Sequence, residues 1–271
     1  MAPQEGHGFD VDPFIVVPED TTAYDNGDVL PGIWLTDPVF DGREVYVGRV
    51  LLKPYVAEDD YCGEEALWYG GGYYDEAMAL RDPSQAAERR RLFQAVELLY
   101  RHAAAQGNAV AQMNLGYVYY YDRADGAYWE GGTCFTGPDG RMPLKERAFL
   151  CYRWASEAGL AEASYKLGDC YKNGVGCESD DGEAFRCYRL AMGQDDHGAA
   201  YLSGSIALRL GDCYEEGRGC GHDFARALEC YRLAETYLDA AVSRGGWYYR
   251  KALRGARDGV RRCEQEIALG E

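Results

Sequence analysis

Ala148-Phe149-Leu150-Cys151-Tyr152-Arg153-Trp154-Ala155-Ser156-Glu157-Ala158-Gly159, with Leu167-Gly168-Asp169-Cys170-Tyr171 and Gly174-Val175-Gly176-Cys177 behind it, is a stretch that this chain writes almost twice. It resumes as Asp180, Ala184, Cys187-Tyr188-Arg189 and Ala191, then Leu210-Gly211-Asp212-Cys213-Tyr214 and Gly217-Arg218-Gly219-Cys220. A third start follows at Asp223, Ala227, Cys230-Tyr231-Arg232 and Ala234. Tyr152 and Tyr188 are 36 residues apart, Tyr188 and Tyr231 43. A unit of this length with small residues at fixed helical offsets reads as a stacking repeat, each copy burying its apolar face on the next.

Each recurring residue has a physical role in such a unit. Ala148, Ala155 and Ala163 let two helix backbones approach, as does Gly168 in mid-helix, where glycine otherwise destabilises. Tyr152, Tyr188 and Tyr231 fill the space between successive helix pairs. Gly174 and Gly176 suit the left-handed positions that end a helix, and Asp180 and Asp223 stand where a side-chain oxygen caps the next one.

Working outward, a weaker copy precedes the stretch: Tyr100-Arg101, Ala103, Gly107, Ala111, Leu115-Gly116 and Tyr119. Helices are expected from about Ser84 to Gln106 and from Asn108 to Tyr121, started by Asp82-Pro83-Ser84. Helical spacing begins near Glu64, although Gly70-Gly71-Gly72 lower its propensity by roughly 1 kcal/mol each. Residues 122–143, with five glycines, read as a long loop, and a shorter insertion falls around Gln194–Ser203. Helices from about Asp223 to Val242 and Trp247 to Ala268 close the array, the last a capping helix. Residues 1–60 differ. They hold six of the nine prolines and short β-branched runs, so they read as an extended arm with a hairpin turn at Asp41-Gly42.

The run from Ala148 through Tyr152, Ala155 and Gly159 to Gly168, Tyr171, Gly174 and Gly176 resembles the Sel-like repeat, a relative of the tetratricopeptide repeat. The resemblance extends over about Gly63–Ala268, with Gly211 and Tyr214 in the second copy. It implies an all-α fold, a right-handed α/α superhelix of antiparallel helix pairs over 61–271 behind the arm of 1–60. It also implies a scaffold or adaptor that binds protein or peptide partners. A secreted, disulfide-stapled branch has cysteines where this chain has Ala155-Ser156 and Ala163-Ser164.

Composition narrows the functional classes. A net charge of −17 argues against nucleic-acid and anionic-membrane partners. No run reaches the roughly 18 apolar residues of a membrane span. Met1–Glu5 has neither a basic start nor an apolar core, so no signal peptide is expected and a cytoplasmic location is. The ten cysteines lie mostly within the repeats and read as buried thiols. Their wide spacing does not match a zinc site, and neither metal nor cofactor is expected. No catalytic motif is present. The competing class is a hydrolase or thiol-redox enzyme that uses the repeat cysteines. One polar residue does recur. Arg101, Arg153, Arg189 and Arg232 each follow the repeat tyrosine, roughly opposite the packing stripe, and would form a row suited to carboxylates or a peptide C-terminus.

Overall fold

The computed structural model describes residues 33–37, 43–47, 63–105, 107–123, 143–195 and 197–270. Within the arm, β1 (Ile33–Asp37) and β2 (Arg43–Val47) pair antiparallel, Leu35 opposite Val45. Val39-Phe40 and the turn expected at Asp41-Gly42 lie outside the described residues, as does the loop 124–142. The other described elements are helices: α1 (Glu64–Ala79), α2 (Ala86–Ala105), α3 (Ala109–Tyr120), α4 (Leu144–Glu157), α5 (Ala161–Asn173), α6 (Asp181–Gln194), α7 (Ala200–Glu216), α8 (Phe224–Ser243) and α9 (Arg250–Gly270). A 3₁₀ turn precedes α2 at Pro83–Gln85 and another precedes α9 at Trp247–Tyr249. The chain forms two compact units, Met1–Trp154 and Ala155–Glu271.

In the second unit α5 and α6 run antiparallel. Gly168 faces Tyr188, while Ser164 earlier on α5 meets Gln194 later on α6. The same holds for α7 and α8, where Gly211 faces Tyr231 and Gly204 faces Leu238. The glycines are needed for contact: a Cβ on Gly168 would stand 2.6 Å from Tyr188 Cε1, and one on Gly211 2.7 Å from Tyr231 Cδ1. The ring thus packs on bare backbone, and Tyr188 and Tyr231 are fully buried. The closing helix repeats the device from the other side, since a Cβ on Gly259 would stand 2.6 Å from Tyr231 Cδ2.

The first unit uses the same pairing. Gly116 on α3 faces Tyr152 on α4, and Gly70 on α1 faces Tyr100 on α2, each with an imagined Cβ at 2.6 Å. Of the three glycines that weaken α1, Gly70 is therefore a crossing point, while Gly71 and Gly72 face open space.

Helix ends follow the sequence signals. Asp180 accepts from Glu183 N–H at 2.9 Å and Asp223 from Arg226 N–H at 2.9 Å, satisfying amides that the helix leaves open. Gly174 and Gly217 turn left-handed at φ 65° and 66°, and the next residues, Val175 and Arg218, donate back to Cys170 O and Cys213 O. The insertion near Gln194–Ser203 divides differently than the spacing suggests. Four of the added residues lengthen α7, which has 17 residues against 13 for α5.

Candidate functional site

The four repeat arginines do not share one environment. Arg153, Arg189 and Arg232 are exposed on α4, α6 and α8. Arg189 lies 5.9 Å from the Phe185 ring centroid, and Arg232 Nη2 meets Glu264 Oε1 at 2.9 Å. Arg101 departs from the expectation of a surface row, being only 1% exposed. The helical phase that turns its counterparts to solvent turns this α2 face inward, and Glu97, one turn earlier, is buried as well.

Arg101 and Glu97 belong to a charged cluster in the core of the first unit, with Gln112 and Tyr119 of α3 and Arg147 of α4 also buried. The Arg147 guanidinium lies 5.8 Å from the Tyr119 ring centroid. Burial pushes the Tyr119 hydroxyl well above the usual phenol range. Glu97 adds to that push, while Arg101 and Arg147 oppose it. Charge of both signs in one place is what makes burial of these groups tolerable.

The second unit carries a polar ladder along α5, α7 and α9. Tyr188 donates its hydroxyl to Asp169 Oδ1 at 2.8 Å, and Arg209 Nε donates to the same oxygen at 3.0 Å. Arg209 also reaches Asp212 Oδ2 at 3.6 Å, and Lys172 Nζ approaches that oxygen at 3.7 Å. The Tyr231 hydroxyl lies 3.0 Å from Asp212 Oδ1 and 2.5 Å from Glu215 Oε2, and it donates to one at a time. Arg262 of α9 completes the ladder with 2.6 and 2.7 Å bonds to Glu215. Those bonds, first of all, hold the Glu215 carboxyl below its ordinary value. The aspartates recur directly after Gly168 and Gly211, so the repeat itself marked them. Their charges are matched within the ladder, which suits them to fastening helices rather than taking up a ligand.

Ser156 and Ser164 extend this fastening at the α4–α5 turn. Their hydroxyls are 2.6 Å apart, and Ser164 Oγ donates to Gln194 Oε1 at 2.5 Å.

The cysteines bear on the enzymatic alternative. The eight in the described residues are free thiols, five buried and Cys177, Cys220 and Cys230 half-buried. Burial pushes the thiols of Cys170, Cys187 and Cys213 up to about 12 and those of Cys230 and Cys263 to about 11. A nucleophilic cysteine needs the opposite shift, because the thiolate is the reactive form. Among the described residues no three His, Cys, Asp or Glu side chains are grouped to hold a metal ion, and no helix is long and apolar enough to cross a membrane.

Three segments, residues 109–126, 161–196 and 207–235, match the Sel1 repeat. They coincide with the helices that carry Gly116, Gly168, Tyr188, Gly211 and Tyr231. No curated protein matches the chain. Among solved structures it is similar to c5321, a protective antigen present in uropathogenic Escherichia coli strains displaying an SLR fold, at 18% identity and a TM-score of 0.48. That match covers 76% of this chain, which spans 38% of the length of c5321. It is also similar to a Sel1 repeat protein from Oxalobacter formigenes at 22% identity and a TM-score of 0.42, over 71% of this chain and 84% of the other.

Proposed function

We propose that this chain, a Sel1-repeat protein, is a non-enzymatic adaptor that holds a protein partner through its repeat domain, 61–271. Sel1-repeat proteins are generally protein-interaction scaffolds, which sets the class. The observation that carries the finer reading is the arginine after the buried repeat tyrosine. Arg189 and Arg232 stand exposed on equivalent positions of α6 and α8, anchored by Tyr188 and Tyr231 against backbone. Rigid helices therefore present guanidinium forks at a repeat spacing, and a fork suits a carboxylate in two parallel hydrogen bonds. An acidic segment or a C-terminal carboxylate is the matching ligand. Glu264 competes for Arg232 in the free protein, and a ligand carboxylate would exchange with it. The free thiols fit a reducing compartment such as the cytoplasm.

The test is a pull-down from the native host with mass spectrometry, then calorimetry of the identified partner with wild type and with Arg189→Ala/Arg232→Ala. Exposed contacts of this kind contribute about 1 kcal/mol or less each, so the double variant should bind up to about 30-fold more weakly. Its melting temperature should stay unchanged, and added salt should weaken wild-type binding in the same direction. Full affinity in the double variant would remove these arginines from the interface.

A further inference from the structure

A cavity of about 640 Å³ opens in the first unit between the end of α1, the start of α2 and the end of α3. Its volume is in the range of small-molecule sites. Four arginines line it, Arg81, Arg89, Arg90 and Arg123, in a chain with 45 acidic residues against 28 basic ones. Such a grouping is not a by-product of basic composition. The acid on the wall, Asp122, is already engaged, with Oδ1 3.0 Å from Lys145 Nζ. Among the described residues Arg81 and Arg123 make no ion pair. Arg89 makes none either, and its Nη1 reaches only Leu80 O, at 3.5 Å.

Arg123 is the centre of the site. It is half-buried, donates to the Tyr74 hydroxyl, and its Cζ lies 4.7 Å from the Tyr121 ring centroid, 4.9 Å from that of Tyr74 and 5.8 Å from that of Phe93. Three rings hold the cation in place at the cavity wall. Tyr121 is 52% exposed at the rim, its ring between Arg123 and Tyr117, whose ring lies parallel with centroids 6.2 Å apart.

The backbone that places Arg123 departs from the turn that ends α5 and α7. Six residues after Gly168 and Gly211 the helix ends on a left-handed glycine, Gly174 or Gly217. Six residues after Gly116 the same turn is made by Asp122 at φ 51°, with Arg123 N–H donating to Val118 O at 2.9 Å and Asp122 N–H to Tyr119 O at 3.2 Å. A left-handed non-glycine residue is disfavoured by about 1–2 kcal/mol. At this turn the chain departs from glycine, and Asp122 there holds Lys145.

We propose that this cavity binds a phosphoryl-bearing small molecule, its anionic end held by Arg123, Arg89 and Arg81 and its remaining part against the exposed edge of Tyr121 at the rim. Three guanidiniums that make no ion pair among the described residues call for a multiply charged anion with acceptors on several sides, and a phosphoryl group supplies both. A lone carboxylate would satisfy one fork and leave the others unmatched. This site is separate from the adaptor reading and stands or falls without it.

The test is calorimetry on the full chain at low salt with four probes: inorganic pyrophosphate, ADP, adenosine and a short phosphoserine peptide. Pyrophosphate and ADP should bind, ADP more tightly through its ring, and adenosine should not. Rising salt should weaken both. Arg81→Ala/Arg89→Ala, at exposed positions that leave the fold intact, should weaken ADP binding at least about tenfold, whereas Arg250→Ala/Arg254→Ala should leave it unchanged although it removes the same two charges. Arg123→Gln should abolish binding, and because that residue also packs on three rings, its circular dichroism must first match wild type. The proposal is overturned if neither phosphoryl probe binds, if adenosine binds as well as ADP, or if the arginine variants bind as wild type does. Tighter binding of the phosphoserine peptide than of ADP would overturn the small-molecule assignment.

Discussion

Replacing Gly168 by alanine adds one methyl group at a point where Tyr188 Cε1 would be 2.6 Å away and Cδ1 2.8 Å. Neither distance is tolerated by carbon atoms in van der Waals contact, which meet at about 3.5–4.0 Å. The ring is fully buried and its hydroxyl is tied to Asp169 at 2.8 Å, so it cannot swing away without breaking that bond. The helices must part by close to an ångström, and overpacking of this kind costs about 1–3 kcal/mol. Against it stands the ordinary gain from glycine to alanine inside a helix, about 1 kcal/mol. The net expectation is a loss of up to about 2 kcal/mol, or up to about 8 °C in melting temperature at 2–4 °C per kcal/mol for a chain of this size class. Gly255→Ala on α9 is the control. Nothing lies within 4 Å of its added Cβ, so it should stabilise by the propensity gain alone. A double-mutant cycle isolates the contact: with Tyr188→Leu in place, Gly168→Ala should turn neutral or stabilising. Thermal and urea unfolding of the four proteins would read this out. Equal effects of Gly168→Ala with and without the ring would refute the glycine–tyrosine contact as the element that sets helix spacing.

Two further outcomes follow from the helix ends and the buried acids. Asp180→Ala and Asp223→Ala should each cost about 1 kcal/mol, additively, because they cap separate helices, and unchanged urea midpoints would refute the capping role. Burial raises Cys170, Cys187 and Cys213 to about 12 from 9.0, and Tyr100 and Tyr201 to about 12 from 10.0. These acids keep their protons longer in the folded chain than in the unfolded one. Their stabilising contribution is therefore complete below about pH 9 and is lost as the pH rises toward about 12. Urea unfolding under reducing conditions should show stability falling across that window, with phenolate absorbance and loss of helical ellipticity appearing together. Stability that holds level to about pH 11 would refute the shifts.

Much of the repeat was legible in the residues because its determinants are local. Gly174 and Gly217 fall where a left-handed turn ends a helix, and Asp180 and Asp223 where free amides need an acceptor, each within a few residues of its effect. Recurrence of Tyr188 and Tyr231 at fixed offsets did the rest, since a repeated residue implies a repeated environment. Partners in space were not legible. That Gly70 meets Tyr100 and Gly259 meets Tyr231 depends on how two helices cross, and no spacing within either helix states it. The arginines show the same limit most sharply. One dipeptide, Tyr-Arg, places Arg189 and Arg232 in solvent and Arg101 in a charged core beside Glu97. Helical phase sets the direction in which a side chain leaves its helix. Whether water or another helix lies in that direction is set by packing from distant sequence, and so is the convergence of Arg81, Arg89 and Arg123, from three stretches of chain, on one cavity.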